Sequence, residues 1–283
     1  MNAQPSRRGL AVTRIAGALG AEVRGIDLRE PLDDARMAEV RRAWLEHLVL
    51  FFPDQPLDAD QFMAFAERLG RPVEYPFVAG LPGHPRIIEV KKLEHERTNF
   101  GGVWHSDTTY LERPPMASML IAREVPPYGG DTLFANMYLA YETLSEGLRR
   151  TLDGLRAVAS SSKADVSRTR EDLVRASGRD DARPAYEAVH PVVRTHPETG
   201  RRALFVNVAH TVRFEGWTEE ESAPLLDVLF RHLIRPEFGC RYAWRPNAIA
   251  LWDNRCTQHN PVNDYHGFRR VMHRITLEGD RPA

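Results

Sequence analysis

Short apolar or alternating runs set between Pro and Gly constrain this chain more than any other feature. They are HLVLFF from His47, RIIEV from Arg86, MASMLIA from Met116, DTLF from Asp131, AVHPVV from Ala188, ALFVNV from Ala203, AIALWD from Ala248 and RVMHRITL from Arg270. Runs of this length and β-branched or aromatic content read as strands. Helical spacing is confined to a few windows. At 34–48, Val40, Trp44, Leu45 and Leu48 form one stripe behind the capping candidates Asp33 and Asp34. At 58–69, Phe62, Phe65, Ala66 and Leu69 face one way between Asp58 and Gly70. At 219–234, the capping box Thr218-Glu219-Glu220-Glu221 leads into Leu225, Leu226, Leu229, Phe230 and Leu233, with Pro224 expected to disturb the first turns. Strands and helices do not alternate regularly, which argues against a doubly wound parallel sheet. A mainly β fold with flanking helices is expected, a sandwich or jelly roll.

At 283 residues and 42% hydrophobic content the chain can fill one large core. No repeat or low-complexity tract divides it, so 1–283 is read as a single domain. The polar stretch 160–187 is expected to be a lid or mobile insertion on it. A net charge of -1 recommends neither nucleic acid nor an anionic membrane, and a small-molecule partner is expected instead. The two cysteines, Cys240 and Cys256, lack metal or redox spacing and suit a reducing compartment, the cytoplasm. SRRGLAV resembles a twin-arginine export signal, but Arg14, Glu22 and Arg24 interrupt the apolar run behind it, and the mature chain is expected from about Ala11.

The chemistry starts from GGVWHSDTTY at 101–110. If VWHSDTTY is a strand, His105 and Asp107 point to one face. One more histidine would complete the two-His, one-carboxylate triad that leaves half of an octahedral Fe(II) open. His259, just beyond AIALWD, is the candidate, while His47, His190, His196 and His232 are read as structural. In the run from Arg270, alternation puts Arg270, Met272, Arg274 and Thr276 on one face. Two arginines thus enter the interior and need anionic partners there, which a cofactor with two carboxylates would supply.

With these residues, the sequence resembles the taurine dioxygenase family of Fe(II)- and 2-oxoglutarate-dependent oxygenases, which includes alkylsulfatases and aryloxyalkanoate dioxygenases. GALGAEVRGIDL from Gly17, VWHSDTTY from Val103, PPYGGDTLFANM from Pro126, HPVVRTHPETGRRALFVN from His190 and PNAIALWDNRCTQHNPVNDYHGFRRVMHRITLEGD from Pro246 carry the resemblance over nearly the whole chain. It implies a double-stranded β-helix, iron held by His105, Asp107 and His259, and the far carboxylate of 2-oxoglutarate held by Thr132 and Arg270. With O2 as the other cosubstrate, it implies hydroxylation of a small anionic substrate with release of succinate and CO2, by a dimer or tetramer. The carboxylate of Asp107, absent from related halogenases, favours oxygen transfer.

For the substrate, the resemblance implies that Arg274 grips the acid group and that Tyr75, Gly101, Thr108 and His210 complete the pocket. Tyr75 and Gly101 stand where taurine enzymes carry a His and an Asn, and His210 where they carry a Phe. A sulfonate, sulfate ester or carboxylate bulkier than taurine is therefore expected, with taurine dioxygenase proper as the alternative and a non-catalytic jelly-roll binding protein or a metal-dependent hydrolase as remoter ones. Trp104 is read as core packing, Gly129 and Gly130 as a tight turn, and Asp131 as its cap.

Overall fold

The computed structural model describes residues 9–163 and 186–283. Its centre is an eight-stranded sheet. In order across it lie Ala11–Arg14, Ala21–Arg24, Val49–Phe52, Ile249–Asp253, Ala117–Glu124, Arg270–Leu277 and Pro72–Val73, with Ile88–Lys92 also pairing with Arg270–Leu277. Only the Ala21–Arg24 and Val49–Phe52 pairing is parallel among these. A three-stranded sheet, Gly239–Tyr242, Thr132–Asn136 and Thr257–Pro261, forms a second layer, and Thr211–Phe214, Arg156–Ser160 and Glu187–Pro191 form another small sheet.

Period-two alternation sends the large sheet's side chains into two separate cores. Phe51, Leu120, Ala122, Ala250, Trp252 and Met272 meet Phe134, Ala135 and Tyr242 of the second layer. There Phe51 stacks on Tyr242 with ring centroids 3.8 Å apart, and Phe134 lies 5.7 Å from Trp252. Leu50, Phe52, Met119, Ile121, Ile249, Leu251, Ile275 and Leu277 point the other way. They are covered by Val40 and Trp44 of helix Asp34–His47 and by Phe62, Phe65, Ala66 and Leu69 of helix Ala59–Leu69. The result is mainly β, with helices as an outer layer. No helix among the described residues is long and apolar enough to cross a membrane.

The helix signals translate directly into caps. Asp33 accepts from Arg36 N, while Asp58 with Gln61 and Thr218 with Glu221 form reciprocal capping boxes. Pro224 departs from expectation, because helix Glu219–Leu233 runs through it. Burial of Leu226, Leu229 and Leu233 holds the helix across the missing N–H. AVHPVV divides into Glu187–Pro191 and Val193–Thr195 where Pro191 cannot donate to a ladder, and ALFVNV contributes only to Arg202–Leu204. Of the stretch read as a lid, most lies outside the described residues; its ends, Ser160 and Glu187, sit opposite each other in antiparallel register.

Phe51 is fully buried between the layers. Phe51→Ala is expected to lower the unfolding free energy by about 3–5 kcal/mol in urea titrations. A loss below about 1 kcal/mol would show that the inter-sheet core tolerates the cavity and that this contact is not what joins the layers.

Candidate active site

The metal-ligand candidates meet at the open end of the inter-sheet core. Strand Arg270–Leu277 begins and ends as its sequence predicts, and Arg270, Met272 and Arg274 are buried on its inner face. VWHSDTTY, in contrast, is not a strand. His105 and His259 instead form an isolated antiparallel bridge, His105 N donating to His259 O at 3.0 Å and His259 N to His105 O at 2.8 Å. The chain then turns through Thr108, at φ 42°. His105 and Asp107 therefore meet through a bridge followed by a turn, and alternation along a strand is not the cause.

One ligand atom from each of His105, Asp107 and His259 lies within 4.8 Å of the others, and all three residues are buried. His105 Nδ1 sits 2.7 Å from Val103 O, which fixes the proton on Nδ1 and frees Nε2. Burial pushes both imidazoles below the ordinary histidine range, His259 strongly so, which keeps them neutral as ligands must be. Burial alone would raise the Asp107 pKa, but the Arg274 guanidinium and the hydrogen bond from Ser118 oppose it, and the carboxyl is held well below the usual range. His259 Nδ1 is buried with no hydrogen-bond partner among the described residues. Two neutral imidazoles and an ionised carboxylate at this spacing suit a divalent cation.

A second cluster, His196, Asp253 and Cys256, is equally close-knit. The imidazole and carboxylate of this cluster are already engaged. His196 Nδ1 accepts from Glu198 N and Thr199 N, its Nε2 donates to Asp253 at 3.0 Å, and Arg255 takes both Asp253 oxygens at 2.8 and 2.7 Å. Asp253 and Arg255 form a buried structural ion pair to which His196 is hydrogen-bonded.

Around the triad lie two adjoining hollows that share Phe100, His105 and Arg274. The narrower is lined by Thr132, Trp244, His259 and Arg270. Thr132 Oγ1 accepts from Trp244 Nε1 at 2.9 Å, which leaves the Thr132 hydroxyl hydrogen to donate elsewhere. Arg270 Nε and Nη2 are buried with no partner among the described residues. Gly130, at φ +69°, lets the chain turn against this arginine; a β-carbon there would stand 3.2 Å from Arg270 Cδ. Asp131 does not cap the turn but pairs with exposed Arg241, and Asp264 accepts from Gly130 N at 2.8 Å instead.

The wider hollow, about 290 Å³, is lined by Tyr75, Gly101, Thr108, His210 and Arg274 together with His105 and Asp107. Every pocket residue expected from sequence is therefore present there. Arg274 Nη1 donates to Asp107 Oδ1 at 3.2 Å, its guanidinium lies 4.6 Å from the Tyr75 ring centroid, and Nε and Nη2 are buried with no hydrogen-bond partner among the described residues. Thr108 Oγ1 is similarly unpartnered. At Gly101 a β-carbon would approach His105 Cε1 to 3.0 Å, so glycine there clears the imidazole. Burial, with His105 nearby, holds His210 down to about 3, and the ring is neutral. Trp104 packs half-buried against the inter-sheet core, as expected.

The family described as taurine catabolism dioxygenase TauD, TfdA family matches residues 11–276. The chain belongs to this family. Over 285 residues it is 37% identical to an alpha-ketoglutarate-dependent sulfate ester dioxygenase of Pseudomonas putida, covering 99% of this chain and 93% of the relative. An alkylsulfatase of Acinetobacter baylyi is 37% identical over 96% of this chain and 86% of its own length. A crystal structure of a taurine dioxygenase from Burkholderia xenovorans matches with a TM-score of 0.82 and 36% identity, covering 98% of this chain and 91% of that one. As a TauD/TfdA dioxygenase the protein is an oxidoreductase that uses Fe(II) and 2-oxoglutarate.

Sequence reasoning missed what orients Asp107 in this TauD/TfdA chain. Ser118 Oγ donates to Asp107 Oδ2 at 2.5 Å and accepts from Asn254 Nδ2 at 3.0 Å; Asn254 Oδ1 in turn accepts from Trp252 Nε1 at 2.9 Å. The available signal was a lone serine inside the apolar run MASMLIA. Ser118→Ala is expected to weaken Fe(II) about 10- to 100-fold in a metal competition titration. Unchanged affinity would show that this contact does not orient the carboxylate.

Proposed function

We propose that the chain hydroxylates an alkyl sulfate ester at the carbon bearing the ester oxygen, with iron on His105, Asp107 and His259 and 2-oxoglutarate in the narrower hollow. The observation that carries this reading is the set of buried, unpartnered donors on Arg270, Arg274 and Thr108, divided between two hollows that share His105. Buried guanidinium groups require anions. The two hollows suit two anions, one for each arginine.

In this reading Arg270 and Thr132 bind the far carboxylate of 2-oxoglutarate, and Trp244 holds the Thr132 hydroxyl so that its hydrogen faces the anion. Iron with 2-oxoglutarate and O2 supplies the oxidising power to hydroxylate a C–H bond, and succinate and CO2 are released. The protein's part is placement. Arg274 holds the sulfate, Tyr75 backs the guanidinium, and Gly101, His210 and Thr108 shape the wall beside the ligands. The hydroxylated carbon then carries both OH and O–SO3⁻. Its C–O bond to sulfate breaks as the hydroxyl proton leaves, giving an aldehyde and sulfate.

The names of the two relatives, a sulfate ester dioxygenase and an alkylsulfatase, support the sulfate class. The Burkholderia structure favours the alternative of taurine. Against taurine stand Tyr75 and Gly101, which offer no sulfonate-binding side chain of the kind expected there. The same proposal takes 1–283 as one domain, its facing sheets as a double-stranded β-helix (jelly roll), and the protein as a homo-oligomer, dimer or tetramer, in the cytoplasm. Two buried free cysteines suit that compartment.

Succinate formation with hexyl sulfate, taurine, hexanesulfonate and an aryloxyacetate, measured side by side at saturating 2-oxoglutarate, tests the reading. Hexyl sulfate is expected to be fastest, and taurine exceeding all the others would overturn it. The arginines separate the two sites. Arg270→Ala is expected to weaken 2-oxoglutarate by about 2–5 kcal/mol, whereas Arg274→Ala raises the substrate KM with little effect on the cosubstrate. Arg274→Lys recovers only part of the loss, because an ammonium cannot reproduce the fork. Equal effects of both variants on 2-oxoglutarate would remove Arg274 from the substrate.

A further inference from the structure

His210 is a buried wall of the wider hollow, and its protons can be counted from its neighbours. The backbone N–H of His210 is an obligatory donor, and it reaches Asn207 Oδ1 at 2.9 Å. That contact fixes the amide's orientation, so Asn207 Nδ2 is the group 3.1 Å from Thr109 Oγ1 and donates to it. Asn207 is further tied down by its own N–H, which donates to Thr211 Oγ1 at 3.0 Å. Thr109 Oγ1, having accepted from Asn207, lies 2.9 Å from His210 Nδ1. If Nδ1 carried the proton, the buried Thr109 hydroxyl hydrogen would have no acceptor. If Nδ1 is bare, it accepts that hydrogen, and the ring's own proton sits on Nε2.

We propose that Asn207 and Thr109 hold His210 in its Nε2–H tautomer, so that the ring gives the substrate's anionic head group a neutral hydrogen-bond donor alongside Arg274. Thr109 is thereby a positioning residue and His210 a specificity residue. The inference rests on the sulfate ester reading and sharpens it. Arg274 brings two unpartnered nitrogens, enough for both oxygens of a carboxylate. A sulfate ester has three terminal oxygens, and an Nε2–H of His210, beside the Thr108 hydroxyl, gives it a further donor. The relay therefore favours a three-oxygen head group over a carboxylate of equal length.

The test uses the full chain loaded with diamagnetic Zn(II) and 2-oxoglutarate. Long-range ¹H–¹⁵N spectra, with the His210 signals assigned by their loss in His210→Phe, are expected to show a bare Nδ1 and a protonated Nε2. In Thr109→Val the single tautomer is lost, and in Thr109→Ser it returns. By calorimetry, the preference for hexyl sulfate over heptanoate falls about tenfold in both His210→Phe and Thr109→Val and is restored in Thr109→Ser, while 2-oxoglutarate affinity is unchanged. A protonated Nδ1 in the parent, or an unchanged preference in both variants, overturns the inference. If that preference holds while Arg274→Ala abolishes hexyl sulfate binding, the sulfate ester reading stands without the relay. If Arg274→Ala binds hexyl sulfate like the parent, both fall.

Discussion

The two backbone hydrogen bonds between His105 and His259 are the constraint on which the site depends. They tie an irregular loop to the middle of a strand in the second layer, where Thr257–Pro261 pairs with Thr132–Asn136. Both imidazoles are thereby set side by side, ring centroids 4.1 Å apart, before any metal binds. The turn immediately after His105 brings Asp107 beneath them, and Ser118 of the large sheet secures its second oxygen. Two ligands thus hang on the loop and one on the second layer, while the large sheet contributes Ser118, which makes the centre a readout of how the sheets face each other. Gly101 belongs to the same constraint, since a side chain there would displace the His105 ring.

The electrostatics follow from where that centre is buried. Arg270 and Arg274 stand two turns of the pleat apart on one strand; Arg270 lines only the narrower hollow, and Arg274 lies where the two hollows meet. Each keeps donors without partners among the described residues, an arrangement that costs stability and is relieved by a bound anion. Arg274 leans meanwhile on Asp107, so the residue proposed to hold substrate also touches a proposed iron ligand. The contact couples the two ends of the cavity: an anion that draws Arg274 away changes the charge felt by the carboxylate. Buried donors already in place need little rearrangement when ligand arrives.

Elements whose pattern arises from burial on a sheet face or a helix stripe were readable in advance. Arg270–Leu277 and the three capped helices begin within a residue of their sequence signals, because alternation and capping are local. Thr257–Pro261 was not readable, although it carries His259. Its polar residues show no alternation to mark them as a strand, and only pairing with Thr132–Asn136 makes them one. At VWHSDTTY the condition that the segment be a strand is not met, because the backbone bridges only at His105 and turns at Thr108.

By itself the sequence determined the residue types of the site, the inward face of Arg270 and Arg274, and the mainly β class, since spacing, periodicity and charge need no distant partner. Tertiary structure alone decided that His105 and Asp107 converge through a bridge and a turn, that Ser118 and Asn254 support the carboxylate, and that Asn207 and Thr109 govern His210. It also decided that in the cluster His196, Asp253 and Cys256, as plausible a metal site by composition, His196 spends its lone pair on the Glu198 and Thr199 backbone and Asp253 its oxygens on His196 and Arg255. The reason is common to all of them. A hydrogen bond saturates, so whether a donor or acceptor is free for ligand depends on residues brought beside it from far along the chain.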